Sequence, residues 1–154
     1  MASFVKAADA VAAAVEIEKR GHAFYLQVAE KATNPTDKKF FQYMAEEENR
    51  HEQLFATMLK RLGGLELPAG SSDAEYLDYV QALLDSHTLF LPEAHERMLQ
   101  SPIGAAIQLE KDTLLFFIAL EEMVPAGERA SVRACADEER RHIKLLTQHG
   151  KSGS

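Results

Sequence analysis

Apolar residues recur along the chain at spacings of three and four. Nowhere do they alternate in the strand manner or flank an Asn-Gly hairpin signal, so the pattern predicts an all-α protein. Four long helices stand out. The first runs from about Phe4 to Thr33 and is ended by Asn34-Pro35, because proline cannot continue a helix and biases its predecessor away from helical dihedrals. The second starts there and ends near Gly63-Gly64. A third begins at Ser101-Pro102, where serine suits the N-cap and proline the first helical position, and stops before Pro125. The fourth runs from about Ala126 to His149 and is closed by Gly150. Between the second and third, the segment from Gly63 to Gln100 carries the breaker run Pro68 to Ser72 and a short helix, Asp73 to Ser86. Short links make each helix pair antiparallel, and the long middle segment reads as a crossover along the bundle. Residues 1-150 form one domain on this reading, and 151-154 a short tail.

The two halves repeat each other. Val15 to Lys19 lines up with Ile107 to Lys111, Phe24-Tyr25 with Phe116-Phe117, and Ala45 to His51 with Ala136 to His142. A two-fold pseudosymmetric site is the natural inference. The stripes that must face the bundle interior contain carboxylates. They read Val11, Ala14, Glu18, Gly21 or His22, Tyr25 and Val28 on the first helix, and Phe41, Met44, Glu48, His51 and Phe55 on the second. The third reads Ala106, Glu110, Thr113 or Leu114 and Phe117; the fourth Val132, Cys135, Glu139, His142 and Leu146.

Four carboxylates in a dry interior would each cost several kcal/mol if charged and unpaired, and no lysine or arginine shares their stripes. Two divalent cations balance four carboxylates with both histidines neutral, which selects a dinuclear metal site. In each Glu-x-x-His the side chains lie on one helical face, one turn apart. Glu18 and Glu48 lie nearly equally far from the Asn34-Pro35 break, and Glu110 and Glu139 nearly equally far from Pro125, so all four reach the same depth.

Composition narrows the picture. With 17 Lys+Arg against 24 Asp+Glu the formal charge is -7, and no basic cluster breaks the acidic surface, which argues against nucleic acid as a partner. The single cysteine, Cys135, excludes an intramolecular disulfide and a four-cysteine metal site, fits a small buried apolar residue, and fits cytoplasmic residence. Met1 to Ala14 reads as helix rather than signal peptide, and no run of about 18 apolar residues predicts a membrane span.

The set Glu18, Glu48-x-x-His51, Glu110 and Glu139-x-x-His142 resembles the ligands of ferritin-like carboxylate-bridged di-iron proteins. Tyr25 two turns beyond Glu18 and the run Leu109-Glu110-Lys111-Asp112 look most like the rubrerythrin-related branch. The resemblance covers nearly the whole chain and implies a ferritin-like four-helix bundle holding two iron ions, with manganese or zinc as other possible occupants. It places Glu18, Glu48 and His51 on one side, Glu110, Glu139 and His142 on the other, and Glu48 and Glu139 as the bridging pair. Rubrerythrins add a metal-binding glutamate one turn beyond the third-helix ligand, where this chain has Thr113, and a rubredoxin tail, where it ends at Lys151 to Ser154. The resemblance therefore implies an external electron donor such as a rubredoxin-type protein, and a homodimer is expected.

Around the six residues several readings stay open. His22 reads as packed beside the cluster, since its symmetry partner is Leu114. Tyr25 reads either as a hydrogen-bond donor to a ligand carboxylate or as plain packing, the role its partner Phe117 fills. Glu46, Glu47, Glu138 and Arg141 fall off the stripes and are expected on a solvated face; His87, His95 and His149 are expected at the surface. The expected chemistry is reduction of peroxide or dioxygen by a non-haem di-iron centre, of peroxidase or ferroxidase type. Iron binding without turnover and a purely structural dinuclear site are the alternatives.

Overall fold

The computed structural model describes residues 6–63 and 73–152. The described chain is all-α, with the expected two long helix pairs. Helix α1 spans Ala7–Lys31; the expected start at Phe4 lies outside the described residues. Helix α2 spans Pro35–Leu62, with Pro35 in the first turn and Asn34 as its cap, whose Oδ1 accepts the Thr36 N–H at 2.8 Å. It ends at Gly63, whose φ of 56° is a left-handed conformation that a β-carbon would strain.

The crossover is richer than its sequence suggests. Helix α3 (Ala74–Asp85) is capped by Asp73, and two 3-10 turns (Thr88–Phe90 and Pro92–Ala94) lead into a second short helix, α4 (His95–Gln100). The run Pro68 to Ser72 lies outside the described residues. Polar anchors tie this strap to the bundle. The Thr88 N–H and hydroxyl both donate to Asp112 Oδ2, the Tyr76 hydroxyl donates to the Ala119 carbonyl at 2.7 Å, and the Arg20 guanidinium lies 4.2 Å over the Phe90 ring.

Helix α5 spans Pro102–Glu121 and helix α6 Arg129–Ser152. Two details differ from expectation. The turn from Ala126 to Glu128 is 3-10, so the α-helical pattern begins only at Arg129. Gly150 does not close α6, which runs on to Ser152; a β-carbon at Gly150 would lie 3.0 Å from Ile103 Cγ2, so this glycine serves close packing against α5.

Helices α1 and α2 pack along their lengths, as do α5 and α6. Their buried stripes form two separate apolar clusters. One gathers Val11, Ala14, Phe55, Phe117, Leu120 and Val132, and the other Tyr25, Val28, Phe41, Met44, Ala106 and Leu146. Between these groups, in the middle of every long helix, the stripes turn polar: Glu18, Glu48, His51, Glu110, Thr113, Glu139 and His142 are all buried. Among the described residues no helix is long and apolar enough to cross a membrane.

Candidate metal centre

Each long helix contributes to the polar layer at the depth the sequence predicts: Glu18 from α1, Glu48 and His51 from α2, Glu110 from α5, Glu139 and His142 from α6. All six are at most 1% exposed. Their donor atoms converge into two groups, each within 4.8 Å: Glu18, His51 and Glu139 in one, Glu48, Glu110, Glu139 and His142 in the other. Glu139 belongs to both groups. Glu48 falls with Glu110 and His142, where the family resemblance places it on the Glu18 side and as a bridge.

The histidines point alike. His51 Nδ1 lies 3.2 Å from Glu139 and 3.6 Å from Glu18; His142 Nδ1 lies 3.7 Å from Glu110 and 3.8 Å from Glu139. Both turn Nε2 outward, toward carboxylates whose functional place sequence reasoning missed. His51 Nε2 meets Glu138 at 2.5 Å, and His142 Nε2 faces Glu47 at 3.5 Å. Glu47 and Glu138, expected on a solvated face, are only 14% and 21% exposed. The signal was present in the sequence, since each precedes a stripe glutamate at matching places of the repeat. Glu46 and Arg141 are exposed as expected.

Burial and like charge set the proton content of this layer. Burial, then the neighbouring carboxylates, raises Glu18, Glu48 and Glu110 well above the usual carboxylate range. Burial alone would also raise Glu139, but the closeness of Glu110, His142 and His51 outweighs it and holds its carboxyl far below that range. Burial lowers both histidines, and their carboxylate neighbours more than reverse this, bringing His51 to about 9 and His142 to about 11. With no cation present, the layer therefore balances itself with protons.

The arrangement fits a cation pair. Each of the six residues holds at least one buried polar atom with no hydrogen-bond partner, including both oxygens of Glu18 and Glu139 and Nδ1 of both histidines. Carboxylate oxygens with imidazole nitrogens suit divalent first-row metals, and an outward Nε2–H held by a carboxylate is the usual support for a ligating histidine.

The surroundings resolve several open readings. The Tyr25 hydroxyl donates to Glu110 Oε1 at 2.8 Å, across the bundle, while its partner Phe117 packs on Phe55. His22 is half-buried. Cys135 is buried, and burial raises its thiol, so it serves as packing. Gly21 matters for close approach: a β-carbon there would lie 2.7 Å from Glu48 Oε2.

His87 corrects the expectation of a surface residue. It is fully buried, its Nδ1 accepts the Leu89 N–H at 3.1 Å, and its Nε2 is left to donate to Thr113 Oγ1 at 2.9 Å. Burial lowers its pKa to about 4, so the ring is neutral. The crossover thus delivers an imidazole to the position one turn beyond Glu110. His149 is largely buried as well, its ring stacked on Phe40 at 4.1 Å and 2.7 Å from Asp37, whereas His95 is exposed as expected.

Comparison with known proteins gives two findings. The rubrerythrin family model matches residues 9–150. A protein of Thermotoga maritima, provisionally described as a ferritin-like diiron-carboxylate protein, shares the fold with a TM-score of 0.67 and 20% identity, over 100% of both chains. No curated protein matches the sequence.

Proposed function

Since the chain belongs to the rubrerythrin family, we propose that Glu18, Glu48, His51, Glu110, Glu139 and His142 hold two iron ions. The protein is then a non-haem di-iron oxidoreductase of peroxidase or ferroxidase type. The observation that carries this reading is the merging of four buried glutamates and two inward-facing histidines into two donor groups that share Glu139. Two iron ions held by these residues would supply the electrons for reduction of peroxide or dioxygen.

The chain's own residues prepare that chemistry. Glu139, whose carboxyl its neighbours hold far below the usual range, offers donor atoms to both groups. Glu18, Glu48 and Glu110 give up protons as they take on a cation. Glu138 orients the His51 imidazole from outside, and Glu47 faces the His142 imidazole at 3.5 Å. Tyr25 fixes Glu110, and the apolar clusters on either side keep bulk water from the layer.

Thr113 bears on the choice of oxidant. A threonine whose hydroxyl meets His87 offers no carboxylate as an alternative ligand when the oxidation state changes. The reading therefore includes reaction with dioxygen as well as peroxide, re-reduction by an external donor of rubredoxin type, and a homodimer. Metal analysis of protein purified without added metal, followed by stopped-flow oxidation of the Fe(II) form with each oxidant, tests it. Two iron ions per chain and oxidation by both are expected. A protein holding zinc, or Fe(II) inert to both oxidants, overturns the reading. Rapid oxidation without turnover in the presence of a reductant would favour iron handling instead.

A further inference from the structure

The two outer carboxylates are joined by one side chain. Arg50, on α2, donates Nε to Glu47 Oε2 at 3.1 Å and Nη2 to Glu138 Oε2, so its fork spans both carboxylates that back the histidines. Its symmetry partner Arg141 does not repeat this. Arg141 Nη2 only approaches Glu47, at 3.9 Å, and among the described residues no contact of Arg141 with Glu138 occurs. Glu47 therefore has two cationic neighbours, whereas Glu138 depends on Arg50 alone and presents the same oxygen to Arg50 and to His51. The His51 ring is held at 2.5 Å while the His142 ring stands 3.5 Å from its carboxylate.

We propose that Arg50 is a positioning residue that makes the two cation positions unequal, by fixing Glu138 against His51 and so preorganising the position that His51 serves. The inference rests on the reading that the six residues hold two ions. It assigns to a half-exposed arginine a role that ordinary surface ion pairs lack. Such pairs contribute little to folding, whereas a carboxylate that orients a ligating imidazole changes metal affinity about 10- to 100-fold. Loss of Arg50 leaves Glu138 without a guanidinium and free to leave Nε2. Loss of Arg141 leaves Glu47 still held by Arg50.

The test titrates zinc ions into the metal-free full chain and follows the side-chain ¹⁵N resonances of His51 and His142, which report the two positions separately. In Arg50→Gln the His51 position weakens about tenfold or more, and the His142 position changes by less than about threefold. Arg50→Lys, a point charge that cannot fork, recovers part of the loss. Arg141→Gln changes neither position by more than about threefold. Thermal unfolding of metal-free Arg50→Gln stays close to that of the unaltered protein, which separates positioning from folding. Glu138→Gln gives a second route should Arg50→Gln fold poorly, since it weakens the same position and leaves the His142 position alone; where Arg50→Gln folds, adding it to Glu138→Gln costs little more, because both act through one contact. Unchanged affinities, equal weakening of both positions, or additive losses overturn the proposal. An unaltered protein that binds fewer than two zinc ions overturns the proposal together with the di-metal reading on which it rests.

Discussion

The α1–α2 half and the α5–α6 half of the bundle carry the same skeleton: a lone glutamate on the leading helix, then Glu-x-x-His on the trailing one. Around that skeleton they diverge. One turn beyond the lone glutamate the first half has Gly21, whose bare Cα leaves room for Glu48 Oε2, and the second has Thr113, bonded to His87. Two turns beyond it the first half has Tyr25, which reaches across to Glu110, and the second has Phe117, which is apolar packing. The first half supplies Tyr25 and Arg50 to the second half's carboxylates, and the second half supplies Glu139 to both donor groups. Repetition thus fixed which atoms can bind a cation, while divergence of the neighbours set what each pair of donors experiences.

Removing Glu139 breaks this comparison most severely. In Glu139→Ala both positions lose their cation, whereas Glu48→Ala empties the His142 position and spares the other; metal stoichiometry by elemental analysis checks both. Loss of both ions in Glu48→Ala would show that Glu48 bridges as well. Both losses lower the melting temperature, since a cation at about 100 to 1,000 times its Kd stabilises the native state by about 3 to 4 kcal/mol.

The metal-free protein sharpens the electrostatic side of the contrast. Glu18, Glu48, Glu110, His51 and His142 all bind protons more tightly folded than unfolded. The native state therefore holds more protons, and their stabilisation is complete below the unfolded values and lost as pH rises. Across the histidine range, from about 6.5 unfolded to about 9 for His51 and about 11 for His142, metal-free stability falls by about 1.4 kcal/mol per pH unit for each histidine still protonated only in the native state. Urea titrations at pH 6 and pH 9 measure it. The loaded protein, its ligands already deprotonated, shows a much flatter dependence.

Gly21→Ala is the next smaller effect. Its β-carbon displaces the Glu48 carboxyl, so the His142 position weakens about tenfold, while Thr113→Ala leaves room unchanged and affects both positions less; calorimetric titration with Mn(II) distinguishes them. Tyr25→Phe acts on folding rather than on the choice between the two positions. It removes one buried hydrogen bond and leaves Glu110 Oε1 without its donor, a cost of about 1–3 kcal/mol seen in the melting curve of the metal-free protein. Phe117→Tyr, which adds a hydroxyl to packed apolar surroundings, gains nothing in return.

Much of this was legible in the sequence because period and repeat are local signals. The stripes located the four long helices, and glutamates interrupting those stripes at one depth marked the polar layer. Interactions that join distant segments were not legible in that way. His87 finds Thr113 only because α3 and the following turn lay the crossover along α5, and nothing adjacent to His87 announces that contact. Glu47 and Glu138 were misread for a different reason. Seen on their own helices they lie off the apolar stripe, and only the packing of α2 beside α6 turns them toward the opposite histidine. Gly150 has a helix-stopping residue type, yet contact with Ile103 decided its role.

The division of the apolar core by a polar layer has a consequence for how the molecule opens. Each apolar cluster is continuous within itself, and apart from Leu89 of the crossover, which packs against both, the two meet across groups that need either protons or cations to remain together. Amide exchange should therefore resolve the bundle into two end regions with separate opening free energies once the layer is stripped at high pH, with the middle turns of all four long helices the least protected. Loading the layer welds the ends into one cooperative unit, and protection in those middle turns then rises to the global value.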